Sequence, residues 1–299
     1  MEKLLVALSI ALNFLAITTQ AQVILTVKEE SRNMSKGSNN AFVIEVPQTK
    51  ATDLKKDWQK FLKDIGKLKI DDEKGELYTL NASISKISTN QLNHYALFTE
   101  NATAATLVAF FQIKDTFVSS VNNQTTAANI TALVREFGKA AYTNAVEDEI
   151  KTEKKALKKL ENELESFLKD EDKAKGSIAE MKQKIEQNGT EIKVKKQEQE
   201  LKQKEIMAQK EKIIGISLHK EEQKLQKKLI SRMDSDKKKI IKAQSNLLKD
   251  IYKNESKIRE TESEIVKIKE KQTAKTAEIN KQKDVSQQVQ NKLEAIKKF

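Results

Sequence analysis

The chain has 299 residues, with 55 Lys and Arg against 44 Asp and Glu for a formal charge of +11, one proline and no cysteine. The lack of cysteine excludes a disulfide scaffold, a thiolate metal site and a lipid-modified N-terminal cysteine. The charge is uneven: residues 22–146 hold 15 basic and 13 acidic side chains, a net +2, whereas residues 147–299 hold 39 and 30, a net +9.

Residues 1–21 have Lys3 in a short polar start, an apolar run from Leu4 to Ile17, and the small-residue pattern Thr19-Gln20-Ala21. This is the layout of an export signal cleaved after Ala21. Its apolar part is shorter than the ~20 residues that cross a bilayer.

Residues 22–146 have the mixed composition of one folded head. Val23 to Val27 is expected as an edge strand, and the polar stretch Ser31 to Asn40, with Gly37, as a loop. Ala41 to Val46 is apolar on both faces and stops at Pro47, as an inner strand does. Thr52 and Asp53 open a helix in which Leu54, Trp58, Phe61, Leu62 and Ile65 share one face, and Gly66 closes it. Asp71 to Gly75 is expected as a turn. Beyond it, Tyr78, Leu80, Ala82 and Ile84 alternate, as do Leu92, His94, Ala96 and Phe98, which predicts two strands with these residues inward. Leu107 to Ile113 is a further strand. The order predicts an α+β head: an antiparallel sheet with a helix packed on one face. From Ala127 the period is helical again, through Ile130, Leu133, Val134, Phe137 and Ala141. Gly138 is a tolerable interruption, so this helix is expected to run on past Val146 without a break.

Residues 147–299 form the expected stalk. Ile150, Leu157, Leu164, Glu171, Ile178, Ile185 and Ile192 mark one seven-residue ladder, and Ile251, Ile258, Ile265, Ile279 and Leu293 mark another. Apolar residues every 3.5 positions make a seam too narrow for a globular core, and such a helix buries it against a second helix. The ladder keeps phase across Asn188-Gly189, so no reversal is expected there. Gly215 and Asp234-Ser235-Asp236 bracket the midpoint and leave arms of similar length, which predicts an antiparallel hairpin that turns between 213 and 236. The seam thins between Lys193 and Lys212, where Gln199 occupies a core rung.

Catalytic equipment is missing from the pattern. His94 and His219 lie in different elements without cysteine, a metal-ligand motif or a glycine-rich phosphate loop beside them, and neither is expected to bind a ligand. Asp71-Asp72-Glu73 is too short an oxygen array for calcium. No enzyme activity, cofactor or metal is therefore expected.

Three stretches carry a resemblance: Asn39 to Pro47, Trp58 to Asp64, and Glu153 to Glu161. Together they resemble a family of exported bacterial proteins of unknown function that join a small α+β head to a long helical tail. The resemblance implies the envelope of a Gram-negative bacterium, including its periplasm, and implies no activity.

The charge supplies the remaining clue. Lys224, Lys227, Lys228, Arg232, Lys237, Lys238, Lys239 and Lys242 face only Asp234 and Asp236 over 19 residues, a net +6 where the rest of the stalk alternates signs. A concentrated patch projects a field that alternating charges cancel. Beside the predicted reversal it would attract an anionic envelope surface or an acidic protein. Nucleic acid is not expected, because no aromatic residues interleave with the lysines for base stacking. The chain is thus expected to be a non-enzymatic spacer or protein-interaction module, with self-association through the coiled coil as a further option. The alternative is a periplasmic holdase chaperone with basic coiled-coil arms, similar in general plan to the chaperone Skp.

Overall fold

The computed structural model describes residues 25–66, 68–214 and 219–298, so the export-signal expectation lies outside the described residues. The chain divides into two compact units: one runs through Ala156 and takes in the residues from Gln282 onward, and the other is Leu157–Lys281.

The first unit is built on an antiparallel sheet. Its strands are β1 (Val27–Met34), β2 (Gly37–Pro47), β3 (Asp71–Glu73), β4 (Glu76–Ala82), β5 (Leu92–Glu100), β6 (Ala104–Ile113) and β7 (Thr116–Phe117). Their spatial order is β1-β2-β6-β5-β4-β3, with β7 paired to β6. Strand β2 pairs on both sides, Ile44 lying opposite Val27 and Leu107, as expected of an inner strand that is apolar on both faces.

Helix α1 (Ala51–Gly66) lies on one face through Leu54, Trp58 and Leu62. Its first turn is held by a group far away in sequence: the Glu100 carboxylate accepts from the Ala51 amide at 2.8 Å, satisfying one of the donors every helix start leaves open. Helix α2 (Gln124–Ile214) begins at Asn123, whose Oδ1 accepts from the Thr126 amide at 3.2 Å, a side-chain cap of the usual kind. Its first turns bury Ile130, Val134 and Phe137 in the same core as Trp58, Phe42 and Phe111. Trp58 and Phe137 meet edge to face with ring centroids 4.7 Å apart, a favoured aromatic geometry. The last turns of helix α3 (Lys220–Lys298) also join this core, through Val289 and Ile296. Lys292 pairs there with Glu149 at 3.0 Å and also bonds Gln48.

Gly138 is more than a tolerated interruption. A Cβ built on it would stand 2.3 Å from Ile44 Cδ1 and 3.3 Å from Cγ1, and Ile44 is fully buried. The glycine lets α2 approach β2 closely. Gly138→Val is expected to lower stability by about 1–3 kcal/mol through overpacking, read as a shift of the urea midpoint. An unchanged midpoint would mean that Ile44 has room to turn aside.

Three expectations are corrected in the sheet. Ser31 to Asn40 is no loop: β1 extends to Met34, turns at Ser35-Lys36 and returns in β2, with Gly37 at φ +89° closing the turn. The stretch reads as a loop because an edge strand with exposed faces needs no apolar alternation. The described strand runs from Val27, and the expected start at Val23 lies outside the described residues. Asp71 to Glu73 is strand, and the turn is confined to Lys74-Gly75, both at positive φ (52° and 90°), the type I′ geometry that suits tight hairpins.

The third correction concerns which way β4 faces. Leu77 and Thr79 are buried, while Leu80 is 55% exposed and Tyr78 turns to the other face. Ala82 and Ile84 do point inward, because the register shifts between Thr79 and Ala82, with Asn81 at φ +53°. One extra residue in a strand exchanges its two faces, so alternation on either side of a bulge cannot be read as one pattern.

The second unit is a pair of antiparallel helices, α2 continuing to Ile214 and α3 beginning at Lys220. Gly189 sits within continuous helix, and residues 215–218 lie outside the described residues. Ile178, Met181 and Ile258 form its most buried cluster, with Ile185 and Ile265 packed against them. Burying such a side chain contributes about 1.5–3 kcal/mol, which holds the arms together without specifying how far one slides along the other.

Polar rungs supply that specification. Glu171 is 7% exposed, and Gln272 Nε2 donates to its carboxylate at 2.8 Å from the opposite arm. Gln244 Nε2 donates to Gln199 Oε1 at 3.0 Å, and Gln209 bonds Gln226 nearer the reversal. Lys275 bridges to Glu163 at 2.9 Å. Hydrogen bonds from Lys175 first, then Gln272, hold the Glu171 carboxyl below the usual carboxylate range. A polar group in an apolar seam is satisfied only opposite its partner, which fixes register.

Candidate interaction surfaces

The eight basic residues singled out in the sequence all lie on α3, in the second unit. At ~100° per residue, seven of them, Lys224, Lys227, Lys228, Arg232, Lys238, Lys239 and Lys242, fall within an arc of about 140°, and all seven are exposed. Lys237 does not belong with them. It points the other way, is half-buried, and donates through Nζ to Gln203 Oε1 on α2 at 2.6 Å.

The arc is opposite the seam. The seam side of α3 carries Gln226, Ile230, Met233, Lys237, Ile240 and Gln244, each partly covered. Asp234 and Asp236, the only acids between Glu222 and Asp250, fall outside the arc at ~100° per residue. Among the described residues, Lys239 is the one cation of the seven with an ion-pair partner, Asp236 at 3.0 Å. Ser231 and Ser235 stand on the same arc between Lys227 and Lys238, and together with Ile230 and Asp234 these four line a shallow depression of about 410 Å³.

The first unit has two further concave places. A cleft of about 520 Å³ lies between the start of α1 and α2, lined by Asp53, Lys56, Asp57, Asn144, Asp148 and Lys151 among others. Burial pushes the Asp57 carboxyl up, against a lowering hydrogen bond from Asn144. The opposing charges there largely answer one another, Lys151 pairing with Asp148 at 2.9 Å. A second cleft, of about 560 Å³, opens on the sheet face away from α1, where Met34, Lys36, Tyr78, Leu80, Tyr95 and Leu97 contribute to its walls. Lys36 Nζ lies 4.6 Å above the Tyr95 ring and also bonds its hydroxyl, a cation held by an aromatic face. Glu76, 8% exposed, accepts from the Ser35 amide at 3.0 Å and hydroxyl at 2.6 Å. The inward-only pattern expected for β4 and β5 hid this second apolar face, although Tyr78, Tyr95 and Phe110 are visible in the sequence as aromatics at strand positions.

His94 is sealed in the head core. It is fully buried, and its Nε2 accepts from Trp58 Nε1 at 3.2 Å, so the ring proton sits on Nδ1, which has no partner. Burial lowers its pKa from 6.5 to about 3. The imidazole is neutral and structural, without access to a ligand. His219 precedes α3, where its amide donates to the Glu222 carboxylate at 3.3 Å and its carbonyl accepts from the Gln223 amide. Asp72 Oδ1 accepts from the Gly75 amide at 3.2 Å, serving the hairpin turn.

Compared with models of known protein families, with curated proteins and with solved structures, the chain has no match in any of the three.

Proposed function

We propose that the protein is a non-enzymatic interaction module exported to the envelope of a Gram-negative bacterium, in which the head engages a partner and the hairpin supplies reach or self-association. The observation that carries this reading is the second unit. Its arms satisfy each other across the seam, including the polar pairs Glu171 with Gln272 and Gln199 with Gln244, and turn a charged surface outward. A helix pair that has used its apolar face internally offers recognition rather than a chemical pocket.

One observation favours the holdase as a second reading: Leu201, Met207 and Leu225 are 61%, 53% and 68% exposed among the cations of the arms. Apolar side chains beside positive charge suit transient capture of an unfolded chain. Light scattering from an unfolded outer-membrane β-barrel protein diluted out of denaturant separates the two. An interaction module leaves the aggregation rate unchanged at equimolar protein. Suppression that disappears when Leu201, Met207 and Leu225 are changed to Ser would replace the module with the chaperone.

A further inference from the structure

We propose that the outward arc of α3, from Lys224 to Lys242, docks on phosphate-bearing lipid headgroups of a membrane surface. The proposal rests on the interaction-module reading and names the partner of one of its surfaces.

The arrangement of charge is the first reason. A charge run with nothing else to recommend it is a solvated face, with acids distributed among the bases. Here the cations share one side of the helix, and Asp236 stands off that side. Asp234 sits at its margin and lines the same depression as Lys227 and Lys238. Among the described residues a single ion pair answers seven positive groups. The one lysine that would break the pattern, Lys237, is turned into the seam by its bond to Gln203. Seam packing thus fixes which side of α3 faces out, and the arc is that side.

The shape of the array selects the ligand. Eighteen residues of helix extend about 27 Å at ~1.5 Å per residue, so the cations stand in a straight row that no single small anion can contact. A row of point charges matches an extended surface of phosphates. Ser231 and Ser235, exposed between Lys227 and Lys238, add hydroxyl donors at one-turn spacing along the same line, and phosphate oxygens accept from hydroxyl and ammonium groups alike.

Exposed apolar side chains distinguish a membrane from another polyanion. Leu225 and Leu229 flank the arc on one side, at 68% and 43% exposure, and Ile241 flanks it on the other at 41%. Tyr252, 66% exposed, continues that second side about 15 Å past Lys242 at ~1.5 Å per residue. Cations bordered by aliphatic and tyrosine side chains suit the boundary between headgroups and acyl chains. Nucleic acid would reward aromatic rings within the row, and the arc has none.

The test uses the full chain and vesicles of phosphatidylcholine with or without phosphatidylglycerol, with binding read by co-sedimentation at low and high salt. Wild type should bind the phosphatidylglycerol vesicles, release them at high salt, and ignore phosphatidylcholine alone. Lys227→Glu/Lys238→Glu/Lys242→Glu should weaken binding by at least about tenfold, given the per-residue contribution of basic groups near an anionic surface. Lys193→Glu/Lys196→Glu/Lys204→Glu makes the same change in net charge at exposed positions of α2, and it should retain binding within about twofold on the same argument. Helix content by circular dichroism must match in all three proteins. Equal weakening by both variants would reduce the arc to net charge and overturn the proposal, as would absence of wild-type binding at low salt. Tighter, arc-dependent binding to a DNA oligonucleotide than to vesicles would overturn it in favour of a nucleic-acid surface. Aggregation assays bear on the module reading and vesicle binding bears on the arc, so one can fail while the other stands.

Discussion

Acidification from pH 7 to pH 5 is expected to cost the head about 2 kcal/mol of stability through His94 alone, at ~1.36 kcal/mol for each pKa unit of difference between unfolded and folded states. The unfolded chain takes up a proton near pH 6.5, whereas the folded head resists protonation down to about pH 3. Between those values the unfolded state holds the extra proton, so stability is complete above pH 6.5 and declines as pH falls. The cause is structural: protonation would place a second donor in a site where Nε2 already accepts from Trp58 and Nδ1 has no partner. Asp57 acts in the opposite sense, since a carboxyl pushed up by burial favours the folded state at low pH. His94→Gln, whose amide oxygen can still accept from Trp58, should remove the His94 slope. Urea midpoints from pH 5 to pH 7 would measure it, and parallel slopes for wild type and variant would rule out His94 as the source.

Removal of residues 172–178 from α2 alone is expected to destabilise the hairpin far more than removal of the same seven together with 265–271 from α3. The single deletion keeps the heptad phase, so every apolar rung still meets an apolar rung or a glutamine. What changes is the partner of each polar rung beyond the cut. Gln199 would meet Ile251, and Gln244 would meet Ile206, which is 1% exposed. Both amides are partly covered, so leaving them without their partners costs at most about 2–6 kcal/mol, from roughly 1–3 kcal/mol for each fully buried polar group. The paired deletion restores Gln199 to Gln244. Thermal melts by far-UV circular dichroism should therefore rank wild type near the paired deletion and well above the single one. Matching midpoints for the two deletions would show that the arms slide freely and that the glutamine pairs specify nothing.

The sequence made the long helices and the central strands legible because burial imposes a period on them. The ladders from Ile150 and from Ile251 foretold two helices, and continuity through Asn188-Gly189 followed from unbroken phase. Features that burial does not pattern were lost. Strand β1 has exposed polar residues on both faces and so reads like a loop. Strand β4 changes face at Asn81, and the averaged alternation conceals the break. The Glu100 cap on α1 joins residues 49 positions apart, beyond any local signal. Within the basic run, composition grouped Lys237 with its neighbours, whereas a count at ~100° per residue places it on the seam side. That count needs only the sequence, once the seam positions on α3 are assigned.

Strand β1 has a consequence for behaviour in concentrated solution. It is an outermost strand of the sheet, eight residues long, and it would offer its backbone as a template for another molecule's strand. Lys28, Glu29, Glu30 and Arg32 make half of it charged, with Arg32 and Glu30 paired at 2.6 Å. At the opposite margin β3 is only three residues long, too short for lasting edge-to-edge growth. Colloidal stability of the head therefore rests on charges at its margin: Glu29 also holds the Ser120 amide at 2.8 Å, but neutralising Lys28, Glu30 and Arg32 would leave the fold intact and let sheets join edge to edge.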